Sequence, residues 1–391
     1  MPNFQPGRRE FLSLLGAGAC AALTPSLAIA RTPATDYRRL LVLVELKGGN
    51  DGLNTIVPFA DPRYAQLRPR IGLRRDELLL LDERTGAHPS LAPLRPLWEG
   101  RELAIVQSVG YPQANLSHFR SIEIWDTASR SDQYLDEGWL GRAFAQVPVP
   151  ADFAADGVIV GSSDLGPLVG RRARAVALTG AEQFQRQSKM AQARAPAASG
   201  ALGHLLKVEN DVAAAGARIG GSRSFTTSFP QGAFGDAVRT ACQVVAQGSG
   251  VAALRLTLNG FDTHQNQPAT HARLLGQLAD GLVALRSGLS ELGRWNDTLV
   301  MTYAEFGRRP QENQSNGTDH GTAAPHFVLG GRVAGGLYGS APQLDRLDGN
   351  GNLPFAVDFR SLYATALERW WEMPSAAVLG ARFPTLPLLK A

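Results

Sequence analysis

The chain is 391 residues long and carries 39 Lys and Arg residues against 35 Asp and Glu residues, a formal net charge of +4. No block of consecutive basic residues stands out, so the charge gives no support for nucleic-acid binding. The length suffices for one large α/β domain or two smaller ones, and 42 glycines and 24 prolines indicate many tight loops around the core.

The first predicted element is a targeting segment over residues 1–30. Arg8 and Arg9 precede an uncharged stretch at 11–23, which is too short to remain in a bilayer as a helix, and 28–30 offers the small residues of a cleavage site. The paired arginines resemble the twin-arginine signal, which implies recognition by the twin-arginine export machinery and passage of the folded protein. We therefore expect a periplasmic or secreted protein that is not an integral membrane protein.

Two other interpretations of this segment stay open. One is an ordinary signal peptide with two chance arginines, and the other is a lipoprotein signal in which Cys20 carries the lipid. Lipidation is disfavoured because Ala17 stands where such signals prefer Leu or another larger aliphatic residue. Cleavage after Ala30 leaves Cys242 as the one cysteine, so no intramolecular disulfide is expected.

Four short apolar runs follow, and each leads into a loop rich in Gly, Asn or Asp. They lie at 40–46, 103–106, 251–258 and 299–303. Runs without polar alternation predict strands buried on both faces. Helical patterns are predicted at 90–98, 117–128, 234–246, 271–292 and 359–371. The alternation predicts an α/β fold, a mostly parallel sheet with helices on both faces.

Residues 190–222 differ from the rest, since they are rich in Ala, Gly and Ser and poor in large apolar side chains. We interpret them as a flexible insertion or lid, partly helical. Residues 31–391 are otherwise predicted to form a single α/β domain.

Ligands of an open α/β sheet bind beyond the carboxyl ends of its strands. The loops after the four predicted strands, with the helix starts that follow them, place one set of candidate residues at that edge: Asp51, Ser117, Asp262, His264, Glu305, Asp319 and His320.

Asp262 and His264 are two residues apart, so in an extended chain both side chains point the same way. A carboxylate beside an imidazole suits a divalent metal such as zinc or manganese. The alternative is that both bond to the backbone of their own loop. Asp51 follows two glycines that let the backbone approach a ligand, or it bonds its own turn.

Ser117 stands at the start of a predicted helix. There it is either a simple N-cap or, at a helix end that favours anions, a nucleophile toward phosphorus or sulfur esters beside a metal. Asp319 and His320 are adjacent and face opposite ways in extended chain, so they serve two metals or only one of them ligates. Arg308 and Arg309 either hold an oxyanion or are ordinary surface charges.

Five motifs together resemble one family. They are Gly-Gly-Asn-Asp-Gly-Leu-Asn-Thr at 48–55, Ser-His-Phe-Arg-Ser at 117–121, Gly-Phe-Asp-Thr-His at 260–264, Glu-Phe-Gly-Arg at 305–308 and Gly-Thr-Asp-His-Gly at 317–321. With the twin-arginine start they run nearly end to end. The family is the secreted bacterial domain of unknown function 1501, which is grouped with the alkaline phosphatase and sulfatase superfamily. The resemblance implies an alkaline-phosphatase-like fold and metal-dependent ester chemistry.

Carried over by motif, Asp51 resembles the metal-binding Asp after the first strand and Ser117 the nucleophile at a helix start. Asp262 and His264 resemble the Asp and His ligands, which the superfamily usually spaces wider. The superfamily has an Asp-His pair where this chain has Glu305 and Phe306. His320 then resembles the later lone His, which leaves the site one ligand short, or Asp319 and His320 are themselves the pair.

The function expected from the resemblance is metal-dependent hydrolysis of a small anionic phosphate or sulfate ester. Ser117 and Arg308 are the expected catalytic residues. One or two divalent ions, zinc, manganese or calcium, are expected on ligands drawn from Asp51, Asp262, His264, Glu305, Asp319 and His320. The alternative is a non-catalytic exported binding or assembly protein that keeps the fold and a degenerate metal site.

Overall fold

A computed structural model of the chain describes residues 35–178, 223–248 and 250–390. The predicted targeting segment at 1–30, with Arg8, Arg9 and Cys20, lies outside the described residues, as does the predicted insertion at 190–222. The described residues belong to one compact unit that starts at Thr35.

The secondary structure alternates between strands and helices along the described ranges. The strands are β1 Leu40–Lys47, β2 Ile56–Val57, β3 Leu79–Leu80, β4 Gly86–Ala87, β5 Leu103–Gly110, β6 Ala155–Val160, β7 Ala175–Leu178, β8 Val251–Asn259, β9 Thr298–Tyr303, β10 Gly307–Glu312, β11 Thr318–Gly321, β12 Ala324–Leu329, β13 Gly336–Tyr338 and β14 Val357–Asp358. The helices are α1 Gly52–Thr55, α2 Pro62–Leu67, α3 Arg95–Glu99, α4 His118–Thr127, α5 Trp139–Gln146, α6 Ala233–Ala246, α7 Gln267–Glu291, α8 Phe359–Ala364 and α9 Ala376–Leu379.

The central sheet has the strand order β13-β5-β12-β9-β1-β8-β6-β7, and β14 pairs with β5. β1 runs parallel to both β8 and β9, and β6 extends the parallel set from β8 to β7. The predicted mostly parallel α/β fold is confirmed. β12, which the sequence did not predict, runs antiparallel between β5 and β9.

Each face of the sheet carries its own apolar core. Along β1, Leu40, Val42 and Val44 pack into one core, whereas Leu41 and Leu43 pack into the other. Side chains of a strand alternate between faces, so a strand covered on both sides needs apolar residues at every position. The apolar run at 40–44, followed by Leu46, follows from that requirement, and Glu45 is the one polar residue within 40–46.

Two predicted helices differ from the observed ones. Within the range 90–98 the chain forms a 3₁₀ helix at Pro89–Leu94 and then the short helix α3. Prolines lack the N–H that an α-helix interior needs, and Pro93 lies inside this segment. The predicted closing helix begins at Phe359 and continues past α8 as a π-helix over Thr365–Trp370. Among the described helices, none combines the length and the apolarity needed to cross a bilayer.

A charged network lies buried within the sheet. Arg255 donates to Glu45 Oε2 at 2.8 Å and to the Tyr303 hydroxyl at 2.8 Å, and that hydroxyl donates to Asp126 at 3.4 Å. Burial raises the pKa of Asp126 well above its usual range, although the charge of Arg255 opposes the shift. The native state therefore favours the protonated Asp126.

We expect Asp126→Asn to stabilise the protein at pH 8. Because the folded pKa of Asp126 is raised, its contribution is fully present below the unfolded pKa and is lost as pH rises toward the folded pKa. Asn mimics the protonated acid at every pH, so the variant should gain about 1 kcal/mol or more at pH 8 and little at pH 4. Urea unfolding at both values measures this. The exposed Asp345→Asn is the control, and a loss of stability at pH 8 in Asp126→Asn contradicts the argument.

Candidate metal centre

The polar cluster lies where the loops after β1, β8 and β9 meet the β10–β11 hairpin and the start of α4. Two glycines make this meeting possible. Gly48 has a φ of +114°, and a Cβ there would lie 2.4 Å from Asp262 N. A Cβ on Gly317 would lie 2.2 Å from the His264 backbone. Larger residues at either position would therefore push the loops apart.

Three imidazoles surround the carboxylate of Asp262. Its Oδ1 lies 3.1 Å from His264 Nε2 and 3.3 Å from His320 Nε2, and its Oδ2 lies 3.4 Å from His118 Nε2. The Nε2 atoms of His264 and His320 are 3.0 Å apart. Single donor atoms of His118, Asp262 and His320 all lie within 4.8 Å of one another.

Each imidazole is held from behind through its Nδ1. His118 Nδ1 contacts Glu305 Oε1 at 2.9 Å, and His264 Nδ1 contacts Asp319 Oδ1 at 3.3 Å. His320 Nδ1 donates to the Leu116 carbonyl at 2.7 Å. A carbonyl or carboxylate can only accept, so a neutral ring that bonds these groups carries its proton on Nδ1. Asp262 also only accepts, so each Nε2 meets it either as an N–H donor or, in that neutral tautomer, as a lone pair.

With the rings neutral and protonated on Nδ1, nitrogen and oxygen electron pairs lie side by side without a hydrogen between them. Burial lowers the pKa of His320, which favours its neutral form. Neutral nitrogens 3.0 Å apart beside a carboxylate repel one another unless a cation lies among them, either a proton or a metal ion. Ligand atoms of a tetrahedral zinc lie roughly 3.3 Å apart, since Zn–N bonds are about 2.0–2.1 Å. The side chains of His118, Asp262 and His320, with His264 beside them, therefore fit a divalent ion.

Glu305 and Asp319, which the sequence offered as alternative ligands, both lie behind imidazoles. Glu305 Oε1 also accepts from Gly48 N at 2.9 Å, and its buried Oε2 has no hydrogen-bond partner among the described residues. Carboxylates that accept from the far nitrogen of a histidine orient ligands in many metal sites. The structure places Glu305 behind His118 and Asp319 behind His264 in that way.

The structure does not bring Asp51 to the cluster. Its two oxygens accept from Arg68, at 2.6 Å from Nη1 and 2.8 Å from Nη2, and the Gln267 amide donates to one of them. Asp51 and Arg68 both have fully buried side chains. Burial alone would raise the pKa of Asp51, but the charge and hydrogen bonds of Arg68 hold that pKa below its usual value. The carboxylate expected to bind metal is committed to an ion pair instead.

We expect Asp51→Ala to destabilise the protein by about 3 kcal/mol, because it leaves the Arg68 guanidinium buried without its counter-ion. Chemical unfolding at pH 7 measures the loss. Asp76→Ala, which removes an exposed partner of Arg74, should cause no measurable change. Equal stabilities for the two variants count against the structural role.

Arg308 also differs from its predicted role. Its side chain is fully buried, and its N–H groups point to five acceptors. Nε donates to Gly49 O at 2.8 Å, Nη1 to Thr318 O at 2.9 Å and Nη2 to Asp262 Oδ1 at 2.6 Å, while Gly48 O and Phe261 O also accept from Nη2. All three nitrogens bond protein acceptors and the side chain is fully buried, so Arg308 is not presented to a substrate oxyanion. Arg308 anchors Asp262, and although burial works against it, the pKa of Asp262 is lowered.

Ser117 is the exposed N-cap residue of α4, and its side chain makes no capping hydrogen bond. The predicted cap role is thus not realised through the hydroxyl. The residues on either side both contact the cluster, Leu116 through its carbonyl and His118 through its ring. Ser117 therefore lies between two residues that contact the cluster, and its hydroxyl has no protein partner among the described residues.

Residues 102–380 match the family model described as "Protein of unknown function (DUF1501)". The chain belongs to this family. The family prediction made from the sequence motifs is confirmed. No curated protein matches the chain.

Several solved structures are similar to this DUF1501 chain. The lipoteichoic acid synthase LtaP from Listeria monocytogenes shares 10% identity over 78% of this chain and 68% of its own, with a TM-score of 0.36. The zinc complex of the C-terminal periplasmic domain of EptC from Escherichia coli shares 10% over 77% and 74%, with a TM-score of 0.38. The alkaline phosphatase of the Antarctic bacterium TAB5 shares 12% over 78% and 95%, with a TM-score of 0.31.

Sequence reasoning missed His118 in this DUF1501 chain. The motif at 117–121 drew attention to the hydroxyl of Ser117, although His118 is the first residue of α4 at the same sheet edge. The available signal was that His118 lies at the start of a predicted helix at the sheet edge where three other candidate ligands were already placed. Access to the cluster is open, because a cavity of about 590 Å³ lies over Asp262 and His264 and is also lined by Thr270 and Asn313.

Proposed function

We propose that this chain is a metal-dependent hydrolase of phosphate or sulfate esters that acts in the periplasm or outside the cell. The observation that carries the proposal is the convergence of three imidazole Nε2 atoms on Asp262, each ring held through Nδ1. His118, Asp262 and His320 would hold the ion, with His264 as a further donor. Imidazole-rich sets suit zinc, whereas manganese and calcium prefer oxygen ligands.

A bound ion would polarise the ester oxygen and favour ionisation of a nearby hydroxyl. The protein's own groups supply the rest. The N-terminus of α4 offers free backbone N–H groups to an anionic ester. Ser117 Oγ attacks phosphorus or sulfur as the alcohol leaves with a proton, and water then releases the acid and restores the hydroxyl. Glu305 keeps the His118 ring oriented throughout.

The rival function is a non-catalytic exported binding or assembly protein. The involvement of Asp51 and Arg308 in buried structural bonds favours it, since Asp51 is held by Arg68 and the buried Arg308 holds Asp262 rather than a substrate. One assay separates the two. Purified protein is offered aryl phosphate, phosphonate and sulfate esters with zinc, manganese, magnesium or calcium. Hydrolysis of any ester above the metal-only blank supports the enzyme, and none with every metal favours the rival.

Export is tested apart from chemistry. Arg8→Lys with Arg9→Lys should retain the protein in the cytoplasm, because the twin-arginine route reads both arginines. Cell fractionation and the N-terminal sequence of the mature form measure this, and a single Lys substitution serves as the milder control. A double variant that still reaches the periplasm as a form beginning near Arg31 contradicts the proposed route.

A further inference from the structure

A buried chain of hydrogen bonds lies behind the metal centre. The hydroxyls of Tyr111 and Ser121 are 2.7 Å apart, and Ser121 Oγ also contacts the backbone carbonyl of Glu305. All three residues are buried. Tyr111 follows the end of β5, and Ser121 is the last residue of the motif at 117–121. The proposed ester chemistry uses neither hydroxyl, so this part of the motif needs another explanation.

The direction of the chain follows from its last acceptor. A carbonyl oxygen only accepts, so the one hydroxyl hydrogen of Ser121 goes to Glu305, and Ser121 Oγ accepts from Tyr111. Burial raises the pKa of Tyr111, which therefore keeps this hydrogen at neutral pH. The Tyr111 oxygen in turn accepts from Asn115 N at 3.1 Å, while the Asn115 carbonyl lies farther from it, at 3.4 Å.

The two ends of the chain reach the groups that hold two of the imidazoles. At one end Asn115 precedes Leu116, whose carbonyl accepts from His320 Nδ1. At the other end the chain fixes the backbone of Glu305, whose Oε1 contacts His118 Nδ1. Groups behind an imidazole set the orientation of a metal ligand and with it the metal affinity. The Tyr111 hydroxyl therefore stands between the supports of two proposed ligands.

We propose that the Tyr111 hydroxyl is a positioning group of the metal centre. It joins the groups behind His118 and His320 and keeps the two imidazoles at the spacing that one ion requires. The inference rests on the metal-binding part of the proposed function, but not on ester hydrolysis. Linked hydrogen bonds polarise one another, so Tyr111 and Ser121 should act as one unit.

Competition for zinc with a chromophoric chelator measures this role. Tyr111→Phe keeps the ring and its edge contact with Phe359 but removes the hydroxyl. It should weaken zinc binding about tenfold, the low end of the roughly 10–100-fold effect of losing an outer-shell partner. Ser121→Ala should weaken binding by a similar factor. The double variant should also lose about tenfold rather than about a hundredfold, because both changes break the same connection.

Tyr363→Phe is the matched control. Tyr363 is also buried, packs on Phe359 and donates to a carbonyl of α4, that of Trp125, at 3.1 Å. Trp125 lies about two helical turns after His118. Urea unfolding of the metal-free proteins should show losses of similar size in Tyr111→Phe and Tyr363→Phe, because each loses one buried hydroxyl. Tyr363→Phe should nevertheless bind zinc as the wild type does.

Wild-type zinc affinity in Tyr111→Phe overturns the inference, as does an equal loss in Tyr363→Phe or a loss of about a hundredfold in the double variant. If Tyr111→Phe does not fold, Ser121→Ala decides alone against the same control.

The ester assay distinguishes failure of this inference from failure of the proposed function. Zinc affinity that depends on Tyr111, without hydrolysis of any ester, supports the positioning role and removes the hydrolase. Ester hydrolysis with a zinc affinity that Tyr111→Phe does not change overturns the positioning role and leaves the hydrolase. A wild type that binds no zinc overturns both the zinc centre and the role of Tyr111.

Discussion

Ser117→Gly should lower ester turnover by about three powers of ten while the protein stays folded. If Ser117 is the nucleophile, the change removes the attacking group, and a factor of 10³ corresponds to about 4 kcal/mol of barrier. Since its side chain makes no capping bond, the change should cost only a few tenths of a kcal/mol in stability. Steady-state kinetics on the best aryl ester and a melting curve measure the two effects.

Ser131→Ala is the matched control, because Ser131 is partly exposed and its hydroxyl bonds Pro112 O. It should leave turnover unchanged. Thr55 is no fallback nucleophile, since its buried hydroxyl donates to Asp51 O at 2.7 Å. If Ser117→Gly keeps wild-type turnover, the nucleophile is another group, such as a water, and the proposed step is wrong.

The parallel strands were predictable because their burial leaves a local trace in the sequence. β1 and β8 are covered on both faces, so each is mostly apolar, and the buried Glu45 and Arg255 pair with each other. β12 leaves no such trace. Its six residues are all buried, but they include Pro325 and His326, and the antiparallel direction comes from the hairpin that turns the chain back before it. The direction of β12 and its neighbouring strands are therefore set by segments that are distant in sequence.

The residues of the candidate site also divide into those that a local sequence pattern identifies and those whose role depends on distant segments. Asp262 and His264 were identifiable together because a spacing of two residues acts within one loop. The orientation of His118 depends on Glu305, 187 residues later. The ion pair of Asp51 depends on Arg68, which no local pattern marks as its partner. The sequence shows which residue types lie at the sheet edge. Only the fold determines which carboxylate lies in the proposed metal site and which one pairs with an arginine.

The last test compares the loss of zinc affinity between a variant of a proposed ligand and a variant of a residue behind one. If one divalent ion lies among His118, Asp262 and His320, each donor contributes a share of the roughly 10–16 kcal/mol typical of structural zinc sites. His320→Ala should then weaken zinc binding by about 10³-fold or more. Glu305→Gln, which changes only the group behind His118, should weaken it by about 10–100-fold.

Competition with a chromophoric chelator measures these affinities, and melting curves with and without EDTA report the same ion. At a few hundred times its Kd, zinc should raise wild-type stability by about 3–4 kcal/mol, and His320→Ala should lose most of that gain. Asp319→Asn, on the residue next to His320, is the control for local disturbance and should resemble Glu305→Gln at most. Had the cluster held only a shared proton, wild type would contain no metal and its melting curve would not respond to EDTA. The three variants His320→Ala, Glu305→Gln and Asp319→Asn differ in their distance from the proposed ion. An equal loss of zinc affinity in all three indicates damage to the fold. A loss that is largest in His320→Ala locates the ion at the Nε2 atoms.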